Sequence, residues 1–151
     1  MADESEHIPP CLIRIDKEGR WYHKGVEMIR RDFIELFSGN LSRDSEGRYV
    51  IIWEGKPCLL EVEDTPFVVW GVTFEQDEGK ERMLLDLNDG TREACSPETL
   101  WISRDNVLYC MVKEGEFPAR FHRPAYYQTA MRIQEENGNF YLPVDGKKYT
   151  V

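Results

Sequence analysis

Two arginines stand where a helix is expected to begin, Arg31 and Arg123. At a helix N-terminus the first backbone N–H groups lack intrahelical partners and the dipole is positive, so the place favours an anion. A guanidinium adds a two-pronged grip on phosphate or carboxylate. The alternative is internal: each arginine pairs with the acidic residues of segment 61–64. Trp21, Tyr22, Tyr126 and Tyr127 lie near these arginines in sequence, where they either stack on a ring-bearing ligand or serve as core. Glu61 and Glu63 fall on one face of a strand by alternation. With Asp64 they offer carboxylates for acid–base work or a metal, or else a solvated edge.

Other chemistry is missing. The chain has no G-x-G-x-x-G, no G-x-x-x-x-G-K-[ST], no H-E-x-x-H and no G-x-S-x-G. Glu54-Gly55-Lys56 lacks the preceding glycine and the following Ser/Thr of a phosphate loop and reads as a turn. His7 lies in the expected tail, which leaves His23 and His122 without a cysteine or carboxylate at ligand spacing, and a zinc site wants three or four ligands. No metal site, no cofactor and no catalytic residue are expected. The four cysteines, Cys11, Cys58, Cys95 and Cys110, form no C-x-x-C pair. The expectation is reduced thiols and no disulfides, in a cytoplasmic protein. Cys95, beside a turn, is the most exposed and oxidisable of them.

The elements that must position these residues belong to a chain of 151 residues with 41% hydrophobic and 12% aromatic content, enough for a real core. Residues 1–10 are polar and acidic, read as a flexible tail without the features of a signal peptide. The net charge is −9. Residues 61–90 carry two Lys/Arg against nine Asp/Glu, while 11–60 carry nine against eight. This balance disfavours nucleic acid and anionic membrane as partners, and no apolar run is long enough to span a bilayer. One anionic small molecule remains compatible with the local basic positions.

The pattern predicts an α+β fold, mostly antiparallel, with two main helices. A first helix is expected over residues 31–41, its apolar positions Phe33, Ile34, Leu36, Phe37 and Leu41 at helical spacing. A second starts at Pro124, with Tyr127, Ala130 and Met131 as its buried stripe. Strand runs with hairpin turns occupy 11–23, 48–62, 67–95, 100–113 and 139–151. One unit occurs twice: each helix opens with an arginine and leads through a Gly turn with a following aromatic (Gly47-Arg48-Tyr49, Gly138-Asn139-Phe140). Each then reaches a Gly-Lys hairpin, Gly55-Lys56 or Gly146-Lys147. Segments 11–63 and 64–151 are expected as an N-terminal α+β unit and a C-terminal β-rich unit with one helix.

Ile13-Arg14-Ile15-Asp16-Lys17-Glu18-Gly19-Arg20-Trp21-Tyr22, Glu63-Asp64-Thr65-Pro66-Phe67 and Arg123-Pro124-Ala125-Tyr126-Tyr127, in this order, resemble the bacterial domain-of-unknown-function family 1285 (DUF1285). The resemblance implies a duplicated α+β fold whose second half is like a pleckstrin-homology barrel. It also implies a ligand site where the halves meet, for a nucleotide-like anion, and a role in signalling. The family has no established reaction. Positions that match its motifs and would line such a site are Trp21, Tyr22, Arg31, Glu63, Asp64, Arg123 and Tyr127. Thr65 stands where the family more often has alanine, and Ile51-Ile52-Trp53-Glu54-Gly55-Lys56 replaces a threonine-proline stretch. The leading reading is a non-enzymatic module for an anionic ligand. The alternatives are a protein-interaction adaptor using the acidic strip, its partner unknown, and an enzyme with Glu63 and Asp64 as acid and base.

Overall fold

The computed structural model of the protein describes residues 7–151. It divides into two units, one ending at Pro66 and one running from Phe67 to Val151. Residues 1–6, most of the expected tail, lie outside the described residues. The backbone is already paired before Cys11, since the Pro9 carbonyl accepts the Leu59 amide at 2.7 Å.

The N-terminal unit runs β1 (Pro10–Ile15), β2 (Trp21–His23), β3 (Val26–Glu27), α1 (Arg31–Ser38), β4 (Leu41–Arg43), β5 (Tyr49–Trp53) and β6 (Lys56–Val62). They make one sheet in the order β3-β2-β1-β6-β5-β4. Only the central pair, β1 with β6, is parallel. Two loops use the same device. Asp16 accepts the amides of Glu18 and Arg20, and Asp44 those of Glu46 and Arg48, so a carboxylate replaces missing backbone partners in each turn. Ile13, Ile15, Trp21, Ile34, Ile51 and Leu60 form the core.

The first helix is shorter than expected. It ends at Ser38, and Leu41 opens β4. The Asn40 side chain donates to the Leu36 carbonyl at 2.8 Å, satisfying an acceptor that another helical turn would have used. Leu41 pairs with Ile51 across the sheet.

The C-terminal unit contains β7 (Phe67–Asp77), β8 (Lys80–Leu87), β9 (Arg92–Ala94), a 3-10 turn (Pro97–Thr99), β10 (Trp101–Ile102), β11 (Leu108–Val112) and β12 (Phe117–Phe121). Then come α2 (Arg123–Ala130), β13 (Gln134–Glu136), β14 (Asn139–Val144) and β15 (Lys147–Thr150). Six strands form a sheet in the order β10-β11-β12-β7-β8-β9, and β13-β14-β15 form a separate one. β12 joins β7 in parallel. The six-stranded sheet is open, so the barrel implied for this half takes the form of an unclosed sheet among the described residues. No helix among them is long and apolar enough to cross a membrane.

α2 lies on β7. The His122 amide donates to the Val69 carbonyl at 3.1 Å, and Gln128 Oε1 accepts the Val72 amide at 2.9 Å. This pinning sets the helix phase and corrects the expected stripe. Ala125 and Thr129 are buried, while Tyr127 is 57% and Met131 86% exposed. Small residues face the sheet because the backbone comes close; the hydroxyl of Thr129 is satisfied by the Ala125 carbonyl at 3.0 Å.

The repeated unit is present. Each helix has eight residues, starts at its arginine and leads into three antiparallel strands. Its last hairpin turns through Glu54-Gly55 (φ 51 and 78) in one copy and Asp145-Gly146 (φ 51 and 76) in the other. Two positive φ values define the turn that matches strand twist, and glycine carries the second without steric cost.

Candidate functional site

The N-terminal unit holds a cavity of about 690 Å³. Its floor is one face of the sheet, and its wall is α1 with the segment that leads into it. Cys11 and Ile13 come from β1, Ile51 and Trp53 from β5, and Cys58 from β6. Residue alternation puts Ile51 and Trp53 on a single sheet face. Phe33 and Phe37, one helical turn apart, present the α1 side. Their rings stack at 6.3 Å, and Phe37 meets Trp53 edge-on at 5.8 Å.

The lining is apolar apart from three exposed groups, His23, Glu27 and Arg30. The Arg30 guanidinium lies over the Phe33 ring at 4.4 Å and forks Asp32 at 2.6 and 3.2 Å. That fork holds the Asp32 carboxyl below its ordinary range. Such a cavity has room for a flat apolar body, with His23, Glu27 and Arg30 as the polar groups of its lining. Its volume falls within the range typical of small-molecule sites.

Cys11 and Cys58 in this lining are joined as a disulfide, with Cα atoms 4.9 Å apart. The expectation of four reduced thiols is therefore corrected: Cys95 and Cys110 alone are free among the described residues. The 47-residue separation hides a neighbour relation that only the parallel pairing of β1 with β6 creates.

None of the seven residues singled out from the sequence lines this cavity. Trp21 is core, 2% exposed, with its buried Nε1 unpartnered. Tyr22 donates its hydroxyl to Asp16 at 2.9 Å, which raises its pKa, and the Arg14 guanidinium lies 4.4 Å over its ring. Arg14 also approaches Glu61 at 3.8 Å, so Tyr22, Arg14 and Glu61 form a row across three strands. Glu63 accepts the Lys17 amide at 2.7 Å and braces the β1–β2 turn. Asp64 is exposed beside it.

Arg31 and Arg123 are exposed and open their helices as expected. Arg31 does not pair with segment 61–64, whose Glu61 meets Arg14. Tyr127 meets Tyr126 edge-on at 6.0 Å on the exposed side of α2. The side chain at the cavity is Arg30, one residue before the arginine the sequence pointed to. The signal that could have found the cavity was the apolar runs of β1 and β5 together with Phe33 and Phe37 at a spacing of four. The conspicuous charges carried no such signal.

Carboxylates of the acidic strip are largely engaged within the fold. Glu75 meets Arg82, Asp86 meets Arg92, Glu81 meets Arg132, and Asp89 meets Lys113. No group of three or more His, Cys, Asp or Glu side chains among the described residues is placed to hold a metal ion.

Comparison with known proteins gives a match to one family's N-terminal domain and a fold. Residues 4–65 match the family model described as domain of unknown function (DUF1285), N-terminal domain. A DUF1285 family protein from Silicibacter pomeroyi DSS-3 superposes with a TM-score of 0.76 at 21% identity, covering 95% of this chain and 80% of that one. A second, from Shewanella baltica OS155, gives 0.65 at 20% identity, covering 80% of this chain and 91% of that one. No curated protein matches.

Proposed function

We propose that this chain, a DUF1285-type protein by its N-terminal domain and its fold, is a non-catalytic module that binds a small amphipathic anion. The observation that supports this is the aromatic cavity under α1, with Arg30 and His23 beside it. The apolar body of the ligand stacks on Phe33, Phe37 and Trp53, and its charge faces the guanidinium. A nucleotide-like molecule, with a flat base and a phosphate, is one member of that class. The signalling role implied by the family resemblance would make the chain a sensor of this ligand. The pairing of its carboxylates leaves the acidic-adaptor reading without a supporting observation. Glu63, spent on a backbone amide, does the same for the acid–base reading.

Titration calorimetry with anilinonaphthalene sulfonate, an aromatic body bearing one anionic group, tests the site. Saturable binding of one molecule per chain is expected. Phe33→Asp should weaken it about tenfold, the loss of one aromatic contact, and Arg30→Ala should weaken it and reduce its salt dependence. Both positions are exposed enough for the fold to survive. Affinity unchanged in both variants would remove the cavity as the site. Adenosine monophosphate in the same experiment separates nucleotides from other amphipathic anions.

A further inference from the structure

The geometry points to Cys95 and Cys110 as a second, oxidisable thiol pair, a site that a hydroperoxide converts into a disulfide. The two lie on different segments of the C-terminal unit. Cys110 sits in β11 and is fully buried. Cys95 follows β9 and is partly exposed. Two polar links draw segment 93–99 against β11. The Glu93 carboxylate accepts the Lys113 amide at 3.1 and 3.3 Å, and Thr99 Oγ1 accepts the Met111 amide at 3.0 Å. Between these anchors Cys95 lies beside Cys110, near enough for its sulfur to act on the buried thiol.

Only one of the two has access to solvent. Cys95 lines a cavity of about 200 Å³, with Arg82, Lys147 and Tyr149 also in its lining. A hydroperoxide is far smaller than that. Contact with the Cys95 sulfur and burial push the Cys110 thiol well above its ordinary range, so oxidation begins at Cys95. The Cys95 thiolate attacks the outer peroxide oxygen and the O–O bond breaks. The departing alkoxide or hydroxide takes a proton, and Cys95 becomes a sulfenic acid. Cys110 sulfur then attacks Cys95 sulfur. The S–OH bond breaks, and the Cys110 proton leaves with that hydroxyl as water. Two thiols have lost two electrons and two protons to one peroxide. The partnership is what limits damage, because it diverts the sulfenic acid before a second peroxide reaches it.

Hydrogen peroxide treatment of the intact chain, followed by alkylation and non-reducing peptide mapping, tests this. The wild type should yield a Cys95–Cys110 linked peptide, two hydrogens lighter than the sum of its parts. Cys110→Ser should yield none and should trap about tenfold more dimedone adduct at Cys95. Cys95→Ser, changed at the partly exposed position, should leave Cys110 reduced under the same treatment. Both thiols still alkylatable after peroxide would overturn the proposal. So would Cys95 advancing to sulfinate at one rate in wild type and Cys110→Ser, or Cys110 oxidising in Cys95→Ser.

Discussion

The two copies of the helix-and-three-strand unit are finished differently. In the N-terminal copy β6 pairs onward with β1, so the meander is absorbed into a six-stranded sheet. In the C-terminal copy β15 ends a sheet of its own. α2 brings Ala125 and Thr129 against β7, while α1 makes no comparably close approach to any strand. Phenylalanines stand at 33 and 37, where the other copy has Ala125 and Thr129, and both line the cavity. The same local pattern therefore gives a packed helix or a roofed pocket according to the size of two side chains.

The units are also secured by different forces. The N-terminal one has a covalent tie between β1 and β6. The C-terminal one has charged clasps. Asp89, its side chain 4% exposed, holds Lys113 Nζ at 3.1 Å and accepts both the amide and the hydroxyl of Thr91. Glu81 accepts Arg132 Nη1 at 2.7 Å and the Asp145 amide at 3.1 Å, while its own amide donates to Asp145 at 3.0 Å. That second clasp joins β8 to the turn between β14 and β15.

The contrast can be broken from either side. Cys11→Ser with Cys58→Ser should cost the N-terminal unit about 4 kcal/mol, the loop entropy of a tie across a separation of 47 residues. Hydrogen exchange should show the loss in β1 and β6 and not in β7 or β8. Lys113→Met should act on the other unit, by about 3 kcal/mol, because it strands a buried carboxylate. Urea unfolding of the variant, read by exchange in β8 and β11, measures it. If the disulfide variant loosened β8 as much as β1, the division of forces would be wrong.

Glu81→Gln should cost about 1 kcal/mol, since the side chain is partly exposed and Arg132 more so. Its pH dependence carries the sharper information. The hydrogen bond from Arg132, helped by the Asp145 amide, holds the Glu81 carboxyl below its ordinary value of 4.5. The folded protein thus binds this proton less tightly than the unfolded chain. The stabilisation is complete above about pH 4.5 and is lost as pH falls through the lower folded value. In Glu81→Gln this part of the acid slope should disappear; a slope equal to wild type would show that other carboxylates carry it.

The smallest effect tests the equivalence of the repeats. Gly55→Ala and Gly146→Ala should each cost about 1 kcal/mol, since both glycines have positive φ and neither has an atom near a new Cβ. Thermal melts that differ between the two by more than that cost would argue against a shared turn.

Much of the fold was legible. Asn-Gly, Asp-Gly and Glu-Gly steps mark turns through local backbone sterics, which do not depend on the rest of the molecule. Short apolar runs mark β1, β5, β7 and β14 for the same reason. β4 and β13 were hidden as the presumed ends of helices, because three-residue strands have no period of their own. β12 is poorly marked because Pro118 argues against a strand interior, although the run pairs with both β11 and β7. The side chains singled out from the sequence meet a related limit. Charge and aromaticity show what a side chain can do, whereas Asp16, Arg14 and Lys17 had already claimed Tyr22, Glu61 and Glu63 through tertiary neighbours.

Local sterics and periodicity, written in the chain itself, determined the turns, the strand runs and the doubled unit. The cavity, the Cys11–Cys58 bond and the contact between Cys95 and Cys110 were decided only when distant segments met. Each needs two or more strands brought side by side, and pairings across such separations leave no mark in the spacing of residues along the chain.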